Sequence, residues 1–236
     1  MGSERSTALS AWGLPARPNR RVHLRIAVLW AVVLLGTSLA ATVLFSWWVG
    51  LAVAGALVVA LTAGPFVQLS RLERRFNGVV AGPGSEPRLE NLVRGLSDDH
   101  RLLVPRAIVL EDAPPNAFVW RPLFGTAVLA ISRSYLEALS RTELEGVVAH
   151  CLVRIDSSDA RAATMASLMG PVGARIAPKV GDFDDVEAAS LTRYPPGLAS
   201  AIRKAIPARG SPALWFLSDA PCHRAAATRI EELADL

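Results

Sequence analysis

The residues of this 236-residue chain whose types and spacing come nearest to a catalytic pattern are His150, Cys151 and Arg154. They lie on a helix that begins with a capping box of Ser140 and Glu143, followed by apolar residues at helical spacing. Two histidines four residues apart on a helix can bind one zinc ion, and a glutamate directly after the first can deprotonate a zinc-bound water. Here only the first histidine is present. Cys151 stands at the position of the base and Arg154 at that of the second ligand.

Cys151 and Arg154 at these two positions argue against zinc-dependent hydrolysis on this helix. Losing a general base typically costs about 10²–10⁴ in rate, and a guanidinium is always charged and cannot coordinate a cation. If a zinc ion lay about 4 Å from the Arg154 guanidinium, each unit of its charge would be repelled by roughly 4 kcal/mol at an effective dielectric constant near 20. We therefore expect Arg154 to fill the vacant ligand position and to form an ion pair with Asp182, Asp184 or Asp185.

The elements that must position these residues belong to one predicted α+β domain over residues 89–236. Short runs rich in β-branched and aromatic residues predict three strands, and the helical periodicity predicts a mainly helical remainder. The predicted strands span 106–110, 117–120 and 126–131. The predicted helices span 89–96, 135–139, 141–155, 159–169, 197–206 and 225–236, with an acidic segment at 182–187.

A run of 45 residues without a charge, from 26 to 70, precedes this domain. As one helix it would extend about 67 Å, whereas a bilayer core of about 30 Å needs around 20 residues per span. The run therefore predicts a transmembrane hairpin of residues 26–46 and 49–69, with Trp47 and Trp48 at an interface. Two buried core helices are the alternative. A signal peptide fits less well, because its apolar region has only about 7–15 residues.

The charge distribution predicts how this hairpin is oriented. Residues 1–25 carry a net charge of +4, equal to that of the whole chain, and three arginines follow the second span. Positive flanks on both sides place both termini in the cytoplasm, which two spans permit, and we expect the cell (inner or plasma) membrane. The sequence thus divides into a basic tail (1–25), the hairpin (26–70), a juxtamembrane linker (71–88) and the domain (89–236). No nucleic-acid footprint is present, and a cytoplasmic disulfide is not expected.

Several segments of the domain, in this order, resemble the HtpX-type and CAAX-prenyl-endopeptidase family of membrane zinc metallopeptidases. The resemblance implies a gluzincin-like fold with a small sheet, and the preceding hairpin suits it. It covers nearly all of residues 90–236. The segments are 103–110 (LVPRAIVL), 115–118 (PNAF), 139–150 (LSRTELEGVVAH), 191–202 (LTRYPPGLASAI) and 229–233 (RIEEL).

The resemblance also implies a role for individual positions, and several of them have lost the family's residue. His150 matches the first zinc ligand, while the third ligand, a glutamate in the family, falls at Gly181. Asp185 matches an aspartate that supports the site from outside the metal's own ligands. In the family, the segment matching Asn116, Ala117 and Phe118 holds the peptide substrate.

Two other chemistries remain as alternatives. A rearranged zinc site could draw on donors elsewhere, and a cysteine hydrolase could use Cys151 with His150 as its base. The second requires the two side chains to meet, yet consecutive helix residues point about 100° apart. The candidate donors for the first are Cys151, Asp182, Cys222 and His223.

We therefore expect a membrane-anchored, catalytically inactive homologue of zinc metalloendopeptidases, without bound zinc. It would act as a binding or regulatory protein whose residual groove holds a peptide or membrane-protein partner. The alternatives are an active metalloendopeptidase with an unusual metal site and a membrane-tethered structural protein without a groove. The Ala-, Arg-, Val- and Leu-rich composition is typical of a bacterial source.

Overall fold

A computed structural model describes residues 20–82, 84–157, 159–181, 183–208 and 214–236, with side chains from Val22 onward. The predicted basic tail lies outside the described residues up to position 19, and so does Asp182.

Two long antiparallel helices begin the described chain, α1 (Arg20–Leu44) and α2 (Trp47–Arg75). Both are long and apolar enough to cross a membrane, and little of either is buried by the protein itself. This exposure favours membrane spans over buried core helices. The helices meet closely near their turn, where a Cβ on Gly50 would lie only 1.9 Å from Thr42 Oγ1; small residues at such contacts let helix backbones approach.

A four-stranded sheet follows, in the order β1-β2-β4-β3. β2 (Arg106–Leu110) and β3 (Ala117–Trp120) span the predicted residues, and β4 (Val128–Ser132) begins two residues later than predicted. β2 and β4 are parallel, while β1 and β3 pair antiparallel with their neighbours. β1 (Gly78–Val80) lies within the predicted linker. Part of the linker therefore belongs to the domain's sheet, which its Gly- and Pro-rich composition did not indicate.

In the part of the domain that the structure describes, eight helices accompany this sheet. The structure confirms the α+β architecture of a helical hairpin followed by a mainly helical domain. The sequence missed α7 and α8, and it had noted the region of α8 only as acidic. The helices are α3 (Pro87–His100), α4 (Arg133–Ala138), α5 (Arg141–Asp156), α6 (Asp159–Ser167), α7 (Gly170–Ile176), α8 (Asp184–Thr192), α9 (Pro195–Lys204) and α10 (Ala226–Ala234).

The central element of the domain is α5, which is buried on all sides from Gly146 to Ile155. Its neighbours are α8, α9 and the β3 side of the sheet. Gly146 allows the close approach of α9, because a Cβ at this position would lie 3.1 Å from the Leu198 backbone. A helix enclosed in this way holds His150 and Arg154 within the core.

The predicted capping box at the start of α5 is present, and it also ties α5 to α9. Glu143 accepts from the Ser140 N–H at 2.7 Å, from Ser200 Oγ at 2.5 Å and from Lys204 Nζ at 2.7 Å. Although burial opposes ionisation, the bonds from Lys204, Ser200 and Ser140 lower the pKa of Glu143 to about 2. The carboxylate is thus charged throughout the neutral range.

Glu143→Gln is expected to destabilise the protein at pH 7 by about 2 kcal/mol, because it removes the charge that Lys204 pairs with. Glu143 has a folded-state pKa of about 2, below the roughly 4.3 of an unfolded glutamate. The contribution of Glu143 to the free energy of unfolding is therefore complete above the unfolded-state pKa of roughly 4.3. It is lost as the pH falls from there towards 2. In thermal melts of the detergent-solubilised protein, the difference in melting temperature between variant and wild type should become smaller as the pH falls from about 4.3 to about 2.

Glu145→Gln on the same helix is the matched control, since Glu145 is more exposed and forms no ion pair within the described chain. Equal destabilisation by both substitutions, or a Glu143→Gln difference that does not change with pH, would contradict the proposed role of Glu143.

Candidate functional site

His150 lies at the centre of a fully buried charge cluster. Its Nδ1 is 2.8 Å from Oδ1 of Asp185, in the first turn of α8. The same carboxylate accepts two bonds from Arg229 of α10, from Nε at 2.6 Å and from Nη2 at 2.7 Å. This fork geometry is among the stronger arrangements that a guanidinium and a carboxylate form. Three helices are therefore joined at one carboxylate.

The electrostatics of the cluster assign a charge to each member. Burial lowers the pKa of His150, more strongly than neighbouring Asp185 raises it, so the ring is neutral. Burial alone would raise the pKa of Asp185, but the Arg229 guanidinium holds it well below its usual range. The cluster is thus one tight ion pair with a neutral imidazole against it.

Aromatic and backbone groups of the segment before α10 complete the surroundings. The ring of Phe216 meets the His150 ring edge-on at 4.9 Å between centroids, and Arg229 lies over the same ring at 4.9 Å. Arg229 Nη1 also donates to the Phe216 carbonyl at 2.9 Å. Phe216 thereby shields both the imidazole and the guanidinium from solvent.

Arg154, one turn after His150 on α5, is only 1% exposed. Its Nε lies 3.6 Å from Oδ2 of Asp184, and its Nη1 donates to the Trp215 carbonyl at 3.4 Å. The predicted ion pair between Arg154 and the acidic segment is confirmed for Asp184. The site therefore contains two buried guanidinium groups, each paired with a carboxylate of α8.

Gly181, which the sequence resemblance aligns with the family's third ligand, has a left-handed backbone with φ +88°. A Cβ built there would lie 2.5 Å from Arg229 Nε and 2.6 Å from Arg229 Cδ. Real side chains do not approach so closely, so a glutamate at 181 and the observed position of Arg229 exclude each other. Arg229 fills the space that this ligand would need.

The residues present do not fit a zinc ion. Within the described ranges, no group of three or more His, Cys, Asp or Glu side chains could hold a metal. The carboxylate nearest His150 is that of Asp185, and Arg229 already binds both of its oxygens. Catalytic zinc sites need about three protein donors.

The cysteines do not supply the missing donors. Burial raises the pKa of Cys151 to about 12 and also raises that of Cys222. Since the thiolate is the nucleophile, Cys151 does not fit the cysteine-hydrolase alternative, and neither cysteine belongs to a group of three metal donors within the described residues. Asp182, another candidate donor, lies outside the described residues.

The segment predicted to hold peptide, Asn116 to Phe118, is buried. On its free side it pairs with a later part of the same chain. Phe216 N donates to the Ala117 carbonyl at 2.8 Å, and Phe118 forms an antiparallel bridge with Trp215. The edge of β3, where a peptide could add as a further strand, is therefore occupied by residues 215–217.

The side chain of Asn116 secures this arrangement. Its Nδ2 donates to the carbonyls of Leu217 at 2.8 Å and Ile206 at 2.7 Å, and its Oδ1 accepts from Leu217 N at 3.2 Å. The prediction that Asn116, Ala117 and Phe118 bind a separate peptide stays a prediction. In the structure they bind the chain's own segment.

Sequence reasoning missed Arg229 and residues 214–217 as parts of the site. One signal for Arg229 was available, because it shares a face of α10 with the buried Leu233, four residues later. A lone arginine on the apolar face of a helix predicts a buried carboxylate partner. No pattern in the sequence indicated that Trp215 and Phe216 would lie against β3.

The chain is similar to several curated proteins called "Protease HtpX homolog". One from Dictyoglomus turgidum is 31% identical over 162 residues, which covers 50% of this chain and 53% of the relative. Those from Pyrococcus abyssi and Thermococcus sibiricus are 28% identical over 122 residues and 36% identical over 83 residues. They cover 49% and 35% of this chain and 42% and 28% of the relatives.

No protein-family profile matches the chain, and no solved structure matches it. The chain spans about half the length of the Dictyoglomus relatives. The matches agree with the resemblance found in the sequence. The chain is therefore HtpX-like in the sense that it is similar over about half its length to the HtpX protease homologues, and it has two helices long and apolar enough to cross a membrane.

Proposed function

We propose that this HtpX-like protein does not cleave peptides through zinc, and that it acts as a membrane-anchored binding or regulatory protein. The single observation that carries the proposal is the filling of two metal-ligand positions by guanidinium groups. Arg154 stands at one position, and the side chain of Arg229 takes the space next to Gly181 at the other.

A zinc ion beside His150 is disfavoured by this arrangement in two ways. It would face two positive charges, and it would have to compete with Arg229 for the Asp185 carboxylate. Removing a carboxylate from a buried guanidinium leaves an uncompensated charge, which costs about 3–5 kcal/mol. The site is built to hold cationic side chains and not a metal.

The same ion pairs supply the link that a metal would otherwise make between helices. Asp185 connects α5 with α10, and Asp184 connects α8 with Arg154 of α5. The cluster therefore supports a structural role for His150 and Arg154, which the sequence resemblance aligns with zinc ligands of the family.

We further propose that a partner peptide binds at the β3 edge by exchange with residues 215–217. An added strand would take over the backbone bond to Ala117 and the amide bonds of Asn116 that the chain's own segment now makes. Because residues 215–217 compete for the edge, the apparent affinity of a partner peptide is lowered. Only peptides that fit the edge about as well as residues 215–217 do would therefore bind.

For the membrane we propose two spans in the plasma membrane, with both termini in the cytoplasm. The positive flanks of the hairpin support this orientation, and the low burial of α1 and α2 by the protein supports their contact with lipid.

Metal analysis is the most direct test of the proposal. The protein, purified in detergent from zinc-supplemented cells, should contain far less than one zinc per chain and should not cleave an unfolded substrate such as casein. His150→Ala should change neither result. About one zinc per chain that is lost in His150→Ala, together with casein cleavage, would instead establish an active metallopeptidase with a rearranged site.

Arg154→Ala should destabilise the protein by about 3–5 kcal/mol, because it leaves the buried Asp184 carboxylate without this guanidinium. For a chain of this size the melting temperature should fall by about 2–4 °C per kcal/mol. Arg141→Ala, an exposed arginine in the first turn of α5, is the matched control and should have little effect. An unchanged melting temperature in Arg154→Ala would refute the structural role of this ion pair.

The exchange mechanism predicts that loosening residues 215–217 increases peptide binding. Fluorescence anisotropy with a labelled Leu-Trp-Phe-Leu-Ser peptide, the sequence of residues 214–218, measures this directly. Phe216→Ala and Asn116→Ala should each bind the peptide at least about tenfold more tightly than wild type does. Each substitution raises the fraction of molecules in which residues 215–217 have left the edge of β3.

Phe124→Ala, which removes a ring that is 69% exposed, is the control and should bind like wild type. Circular dichroism identifies variants that have unfolded. Folded Phe216→Ala and Asn116→Ala proteins that bind the peptide no better than wild type would show that the edge does not exchange.

A further inference from the structure

A cavity of about 260 Å³ lies between the helical hairpin and the domain. Its walls come from the first turns of α1, the middle of α2, the loop after β3 and one face of α6. The lining is mostly apolar, and its main contributors are Ile26, Trp30, Leu61, Leu123, Ala162 and Met165. The cavity is separate from the His150 cluster, and an inference from it does not depend on the proposed function.

The depth of the cavity along the hairpin places it near one membrane boundary. Trp30 and Leu61 each lie about 15 residues from the turn between α1 and α2, or about 22 Å along the helices. A hydrocarbon core about 30 Å thick would continue for a few more residues, towards Arg25 and Arg71, where the uncharged run ends. The cavity therefore lies in the leaflet on the side of the domain, just inside the level of the headgroups.

Three buried nitrogens at the cavity have no hydrogen-bond partner within the described chain, and one of them, His23 Nε2, lies 3.4 Å from Oδ1 of Asp159. The other two are donors, Nε1 of Trp30 and Nε of Arg161. An unsatisfied buried N–H costs free energy unless a ligand or water accepts from it. Both donors could be satisfied by an anionic oxygen at the rim of the cavity.

The charges around Arg161 favour an anion there. Arg161 forms no ion pair within the described residues, and its charge contributes, after burial, to the lowered pKa of the neighbouring Arg121. The nearby acidic groups have other contacts, since Asp159 lies 3.4 Å from His23 Nε2 and Asp156 interacts with Arg121. A negative charge beside Arg161 would reduce the repulsion between the two arginines.

We infer that the cavity binds one anionic phospholipid, with an acyl chain among the apolar side chains and the phosphate at Arg161 and the Trp30 N–H. The apolar walls exclude a free phosphate as the main ligand, because they would gain nothing from it. A tryptophan at headgroup depth donates to interfacial oxygens while its ring stays in the apolar region. The bound lipid would join the hairpin to α6 and hold the domain at the membrane surface.

The full-length protein in nanodiscs tests this with a phosphatidylglycerol whose acyl chain carries a photoactivatable group. Crosslinks mapped by mass spectrometry should concentrate on Leu61 and Met165, above the level at the exposed Leu35 and Leu39 of α1. Unlabelled phosphatidylglycerol should compete for this labelling better than phosphatidylcholine. Labelling that is no higher in the cavity than on the outer face of α1 would overturn the inference.

Two substitutions separate the headgroup from the acyl chain. Arg161→Gln should weaken phosphatidylglycerol binding roughly fivefold, as expected for one cation near a lipid phosphate. Ala162→Phe should fill the cavity and remove the crosslinks at Met165. The control Arg175→Gln removes an exposed cation of α7 outside the cavity and should bind like wild type.

Two outcomes would contradict the inference directly. Unchanged phosphatidylglycerol binding in Arg161→Gln would show that the arginine does not recognise the phosphate. Complete competition by inorganic phosphate would show an anion site without a bound acyl chain.

Discussion

The carboxylate of Asp185 is the group on which the arrangement of the domain depends. It contacts the imidazole of α5 and the guanidinium of α10 from the first turn of α8. A buried ion pair adds little net stability over apolar groups of the same size, yet removing one partner leaves a costly buried charge. The cluster therefore fixes which helices meet, and in what register, more than it raises the total stability. This role suits a helix such as α5, which is buried on every side from Gly146 to Ile155 and therefore has no single apolar face to orient it.

Gly181 and Arg229 form a second constraint that follows from the first. Arg229 reaches Asp185 only because position 181 has no side chain, and the left-handed backbone there is one that glycine adopts without strain. A glutamate at 181 would displace the arginine, which would leave Asp185 to pair with His150 alone. The glycine at 181 and the present position of the arginine are thus one structural fact.

Much of the fold could be predicted from local sequence, and the site only in part. The strands at 106–110 and 117–120, the capping box at Ser140 and the hairpin were predicted because their signals are local and strong. Helix α8 was missed because its buried face consists of small residues and acidic groups, whose partners on α5 and α10 are distant in sequence. The pairing of Arg154 with Asp184 followed from charge alone. The contact of Arg229 with Asp185, and the strand β1, required knowledge of tertiary packing.

The occupied edge of β3 is connected to the two buried arginines near His150. An edge strand exposes backbone donors and acceptors that must be satisfied by solvent, by a partner or by the chain itself. Here residues 215–217 satisfy them, and carbonyls of the same segment accept from Arg154 and Arg229. The two guanidinium groups beside His150 therefore also hold the segment that covers the edge of β3. Removing either arginine would leave a buried carboxylate of α8 without this guanidinium partner and would release a carbonyl of this segment, so the ion pairs and the covered edge support one another.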